Sequence, residues 1–106
     1  MDNFKSIYRI LSELEKSMDY QECDISRIDH EQLGISEERW NRLIKMMCDS
    51  VYIQGVIIKK NIYDEMLVDC KNIEITLKGL EYLQENSMMK KAHKTIKGIN
   101  DVVPGL

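Results

Sequence analysis

The stretch Leu33-Gly34-Ile35-Ser36-Glu37-Glu38-Arg39-Trp40-Asn41-Arg42-Leu43-Ile44-Lys45-Met46-Met47-Cys48-Asp49 carries the pattern from which the rest of the chain can be placed. Gly34 is the residue type that ends a helix in a left-handed conformation, and Ser36, two positions on, is the type that caps the next helix through its hydroxyl. Glu37 and Glu38 then fall in a first helical turn, where the helix dipole favours carboxylates. Trp40, Leu43, Ile44 and Met47 recur at three- and four-residue spacing and share one face. This predicts a helix over 36–49 with Glu38, Asn41, Arg42, Lys45 and Asp49 on the opposite side. Trp40 lies on the apolar stripe, so it reads as core rather than as a platform for stacking bases.

Upstream, Ser26 can cap a short helix over Arg27–Leu33, with Asp29 three residues on as the reciprocal partner and Ile28 and Leu33 facing inward. A short helix, a tight glycine turn and a second helix is the helix-turn-helix arrangement. Further back, Phe4, Ile7, Tyr8, Leu11, Leu14 and Met18 form one stripe on a first helix over Asn3–Met18. Cys23 to Ile25 is short and able to add a small strand.

Downstream, Val51–Lys60 is rich in β-branched and aromatic residues, and Met66–Ile73 alternates Met66, Val68 and Cys70 against Leu67, Asp69 and Lys71. The two segments predict a hairpin with its tip at Asn61–Asp64, where Ile62 and Tyr63 are expected to fold back on the strands. Thr76 is placed to cap a last helix, Ile75 and Leu80 to staple its start, and Leu77, Leu80 and Leu83 to face the core with Tyr82 on the flank. Gly79 is a poor helix former, which implies that something packs closely on that turn. Met88 or Met89, Ala92, Ile96 and Ile99 continue the helical spacing, and Pro104 and Gly105 mark a frayed end. The sum is an α+β fold, a winged helix-turn-helix with a three-helix core, a β-hairpin wing and a long C-terminal helix. One domain is expected over 1–98, with a tail over 99–106.

A chain of 106 residues allows one core, and 43% hydrophobic with 31% charged residues is a globular composition. The net charge of -3 and pI near 5.4 exclude binding to nucleic acid by bulk charge, though a local basic patch remains open. No apolar run reaches the length of a membrane span and the start lacks a signal-peptide pattern, so a cytoplasmic protein with no membrane partner is expected. Cys23, Cys48 and Cys70 are separate in sequence, with no C-x-x-C pair and no histidine at ligand spacing. They read as reduced apolar residues, with no metal and no cofactor expected.

No nucleophile stands with a base, and the adjacent pairs Glu37-Glu38 and Asp64-Glu65 diverge on a helix or strand, so catalysis is not expected. The first functional expectation is double-stranded DNA, with the 36–49 helix in the major groove. Asn41, Arg42 and Lys45 would read base edges, Ser36 and Arg39 would touch the backbone, and Lys59 and Lys60 would serve from the wing. Charge runs against it: Glu38 and Asp49 offset Arg42 and Lys45, and Asp64 and Glu65 offset Lys59 and Lys60. The densest positive cluster is Lys90, Lys91, Lys94 and Lys97. The alternative is a non-enzymatic interaction module, a homodimer or a complex with another protein formed through 88–99, whose methionines adapt to partner surfaces.

Four blocks in order, Met1-Asp2-Asn3-Phe4-Lys5, Leu33-Gly34-Ile35-Ser36-Glu37-Glu38-Arg39-Trp40, Ile75-Thr76-Leu77-Lys78-Gly79-Leu80-Glu81-Tyr82-Leu83 and Glu85-Asn86-Ser87-Met88-Met89-Lys90-Lys91, resemble the YjcQ family of small winged-helix proteins from Gram-positive bacteria and their prophages. The resemblance implies the winged-helix fold and a setting in which a phage-linked transcriptional regulator is expected. It brings no settled activity. The chain departs from the family in one place: Asp49-Ser50-Val51 stands where a glycine commonly follows the third helix. Because a β-branched residue resists positive φ, Asp49 or Ser50 is expected to turn that corner.

Overall fold

A computed structural model describes residues 3–86 of the chain. It is an α+β structure in the order α1 (Asn3–Lys16), α2 (His30–Leu33), α3 (Glu37–Asp49), β1 (Ile53–Gln54), β2 (Ile57–Lys60), β3 (Met66–Asp69), β4 (Glu74–Ile75) and a last helix, α4, over 77–86. Short 3-10 turns at Ser17–Asp19 and Ile25–Arg27 join α1 to α2.

The first helix buries Ser6, Ile10, Leu11 and Leu14. Its stripe is narrower than the spacing implies, since Phe4 and Met18 at its two ends are exposed and Ile10 takes a central place. No strand forms at Cys23–Ile25. Asp24 accepts hydrogen bonds from the Ser26 amide and hydroxyl and so starts a 3-10 turn there instead. The expected Arg27–Leu33 helix is accordingly split. Asp29, not Ser26, caps α2, accepting from the Gln32 amide at 2.9 Å.

Gly34 then takes φ +69, with its own amide and that of Ile35 donating back to the carbonyls of α2. Ser36 caps α3, its Oγ accepting from the Arg39 amide at 3.1 Å. Trp40, Leu43, Ile44 and Met47 are all buried, as their spacing requires. They join Ile10, Leu11 and Leu14 of α1, Ile28, Leu33, the strand residues Ile53 and Ile75, and Ile73 from the turn before β4 in the core.

The corner after α3 is turned by Val51 at φ +63, not by Asp49 or Ser50. The Val51 amide donates to Cys48 O and the Tyr52 amide to Met47 O, the pair of bonds that closes a helix C-terminus around one left-handed residue. Position decides here, and the valine accepts a conformation its branched side chain disfavours.

Val51–Lys60 is not one strand. Ile53 pairs with Ile75 and Gln54 with Glu74, whereas Ile57–Lys60 pairs with Met66–Asp69 in the register Ile57↔Asp69, Ile58↔Val68, Lys59↔Leu67, Lys60↔Met66. Gly55 separates the two ladders at φ +82, and any Cβ there would run into the Asn72 carbonyl. Met66–Ile73 divides likewise: Asp69 accepts from the Lys71 amide and Ile73 donates to Cys70 O, which turns the chain into β4. Both two-stranded sheets are antiparallel.

Thr76 caps α4 through the Gly79 amide at 3.1 Å, and its own hydroxyl donates to Val51 O. Leu80 and Leu83 pack on the core, but Leu77 is exposed. Tyr82 stacks obliquely on Tyr52, ring centroids 5.1 Å apart.

Candidate functional site

The exposed face of α3 and the adjoining β2–β3 hairpin carry the residues expected to contact a ligand. Ser36 is occupied as the helix cap. Arg39 turns toward α1, its Nη1 donating to Asn3 Oδ1 at 2.8 Å. Lys45 is held by Asp49 at 2.8 Å on the same helix, and that hydrogen bond raises the lysine above its ordinary range. Arg42 is exposed and has no ion-pair partner among the described residues.

On the hairpin, Lys60 lies 3.4 Å from Asp64, while Lys59 is exposed with no ion pair among the described residues. The structure therefore leaves Arg42 and Lys59 open and ties Arg39, Lys45 and Lys60 to neighbours. Exposed pairs of this kind are worth little in stability, so a phosphate could displace them at small cost. Lys90, Lys91, Lys94 and Lys97 lie outside the described residues.

The hairpin tip is fixed by Asn61. Its Oδ1 accepts from the Tyr63 and Glu65 amides at 2.8 and 3.0 Å, its Nδ2 donates to Glu65 Oε1 at 2.9 Å, and its own amide donates to Glu65 O. Ile62 and Tyr63 do not fold back: they are 90% and 75% exposed on this well-bonded turn.

Between the start of α3 and the hairpin lies a cleft of about 410 Å³. Trp40, Ile57, Met66, Leu67 and Val68 give it apolar walls, and Asp29, Glu37 and Asp69 set three carboxylates there against Lys59. Asn41, expected to point at bases, is half-buried in its wall. His30 completes the rim, its Nε2 3.7 Å from Glu37 Oε2.

Sequence reading did not find this cleft. Its members are scattered over forty positions, and only the β2–β3 register brings Asp69 and Leu67 beside Ile57 and Lys59. Among the described residues no group of three or more His, Cys, Asp or Glu is placed to hold a metal ion. Nor, among them, is any helix long and apolar enough to cross a membrane.

The chain matches the profile of the family described as YjcQ protein over residues 8–102. It belongs to the YjcQ family. The matched span includes α1 from Tyr8 on, the Gly34 turn, α3, both sheets and α4, so every residue of the cleft and of the exposed α3 face is within it. No curated protein and no solved structure matches the chain. In this YjcQ-family chain the surfaces open to a partner are the α3 face, the hairpin and the cleft.

Proposed function

We propose that the chain is a winged helix-turn-helix protein that binds double-stranded DNA without catalysing a reaction, with α3 as recognition helix and the β2–β3 hairpin as wing. The observation that carries this reading is the Gly34 turn joining α2 to a Ser36-capped α3, whose outward face presents Arg42, with Lys59 exposed on the β2–β3 hairpin. A helix so displayed fits a major groove, and the cations of α3 and hairpin would meet phosphates on either side. Arg39, Lys45 and Lys60 join them by exchanging their exposed partners for phosphate, and Lys90, Lys91, Lys94 and Lys97 add backbone contact. A phage-linked transcriptional regulator is the role this suits.

The second reading is a protein-interaction module, and one observation favours it: Ile62 and Tyr63 stand out on a turn that Asn61 holds through five hydrogen bonds. Titrating the full chain into random-sequence duplex at low and moderate salt separates the two. The DNA reading expects binding that weakens steeply with salt, by a log-log slope of about 0.9 per phosphate contacted, and a clear loss on Arg42→Ala. Absence of binding at tens of micromolar (~10⁻⁵ M, within the usual non-specific range) in low salt would overturn it.

A further inference from the structure

Two grooves flank α3, and their linings are opposite in charge. Successive residues of a helix are about 100° apart, so Glu37 and Asn41 lie on one flank of α3, Arg39, Arg42 and Met46 on the other, and Lys45 and Asp49 between them. The first flank borders the cleft already described, where Asp29, Glu37 and Asp69 outnumber Lys59 and where Ile57 and Leu67 of the hairpin remain 48% and 52% exposed. The second flank borders a groove of about 460 Å³ that reaches Asn3 at the start of α1. There Arg39 and Arg42 stand against Glu38, and Met46 is 52% exposed.

Both sets of charges remain available to an outside partner. Glu37 is exposed and lies 3.7 Å from His30, beyond hydrogen-bond length. Arg39 is kept at its groove by the neutral amide of Asn3, and Arg42 has no ion pair among the described residues. Between the flanks, Lys45 and Asp49 offset each other at 2.8 Å. Met46 is unbranched and adapts to shallow apolar walls.

A two-fold axis parallel to α3 exchanges these flanks when one copy faces another. The acidic flank of each copy then meets the basic flank of its partner, and the contact occurs twice in a closed pair. We infer that the α3 face takes a second copy of this chain, with the two α3 helices parallel. Arg39 and Arg42 of each copy lie against Glu37 and Asp69 of the other, and Met46 lies against Ile57 and Leu67. Opposite charges on the two flanks set the register, since a copy turned end for end would bring carboxylates against carboxylates. The inference goes beyond DNA binding and does not depend on it. Arg42 is covered in such a pair, so self-association and DNA contact through α3 exclude each other.

Analytical ultracentrifugation of the full chain, with no DNA present and at concentrations up to the millimolar, tests this. The expected result is a monomer–dimer equilibrium that weakens several-fold in about 0.5 M salt, where screening acts over roughly 4 Å. Glu37→Arg and Arg42→Glu change exposed residues, and each alone should weaken the dimer by roughly tenfold or more, because like charges then face each other twice. An equal mixture of the two variants should dimerise about as well as the parent, because one contact is then native and the other has both signs reversed. Glu37→Gln and Arg42→Gln, which remove a charge without adding its opposite, should each weaken the dimer several-fold. Monomer at every concentration, assemblies larger than dimers, a dimer that none of these substitutions weakens, or a mixture no tighter than its separate variants would each overturn the proposal.

Discussion

The indole Nε1 of Trp40 donates a hydrogen bond of 2.7 Å to the carbonyl of Ile28, fastening α3 to the turn before α2 from inside the core. Trp40 is only 7% exposed, so this bond is shielded from water and the Ile28 carbonyl has no ready substitute. Trp40→Phe keeps most of the apolar volume but leaves that carbonyl unpaired. A loss of about 1–3 kcal/mol is expected from the stranded acceptor, read as a lower denaturant midpoint by far-ultraviolet circular dichroism. An unchanged midpoint would show that the bond does not hold the two helices together.

Gly79 is expected to resist the substitution that helix propensity recommends. In an open helix Gly→Ala stabilises by about 1 kcal/mol. Here a Cβ would collide with the Tyr52 carbonyl oxygen and come within 2.7 Å of Ile75 Cγ1. The same carbonyl accepts the Thr76 amide at 3.1 Å, so it cannot yield without loosening the start of α4. Overpacking costs about 1–3 kcal/mol, and Gly79→Ala is therefore expected to lower the urea midpoint. A rise would mean the backbone gives way freely.

The close approach at Gly79 was legible from sequence because a glycine inside a capped helix needs a reason, but what approaches it was not: Tyr52 and Ile75 are brought there by strand pairing. Local signals carried the reading of Ser36, Gly34, Thr76 and the Trp40 stripe, since a cap or a helical face depends on residues within one or two turns. The splitting of Val51–Lys60 depends on Asn72, seventeen positions beyond Gly55, and no local pattern announces it. Phe4, Met18 and Leu77 keep helical spacing yet are exposed, because periodicity gives a face and not the extent of the surface that covers it. The cleft was invisible for the same reason as the split strand: its Asp29, Glu37 and Asp69 meet only in the folded chain.

Val51 offers the opposite sign from Gly79. A left-handed conformation costs a β-branched residue roughly 1–2 kcal/mol, and at 55% exposure Val51 recovers little of this by burial. Val51→Gly removes the clash, with part of the gain returned as added freedom of the unfolded chain. A net stabilisation of about 0.5–1 kcal/mol is expected, seen as a higher melting temperature. A lower one would show that valine's packing outweighs its backbone conformation.

Ser6 is fully buried on α1 and its hydroxyl has no hydrogen-bond partner among the described residues. An unpaired buried hydroxyl costs about 1–3 kcal/mol, and alanine is also the better helix former. Ser6→Ala is expected to raise stability by about 1 kcal/mol in equilibrium denaturation. Destabilisation instead would indicate a water or side chain that satisfies Ser6 in solution.

The three thiols give the fold an alkaline limit. Cys23 and Cys48 are half-buried and Cys70 is buried, all free. Burial pushes the Cys70 thiol from the usual 9.0 up to about 12, with the charges of Cys48, Asp69 and Cys23 adding to the effect. Between those values the unfolded chain releases this proton and the folded chain keeps it. The folded state then binds more protons, so stability must fall as pH rises from the unfolded value toward the folded one. Lysines and tyrosines titrate in the same window, so the informative quantity is a difference. Cys70→Ala is expected to be less stable than the parent near neutral pH, because a buried side chain is trimmed, but to lose less on going from about pH 8 to about pH 10. The two proteins' denaturant midpoints should converge over that interval. Parallel lines would mean that the Cys70 thiol does not ionise in the unfolded chain any sooner than in the folded one.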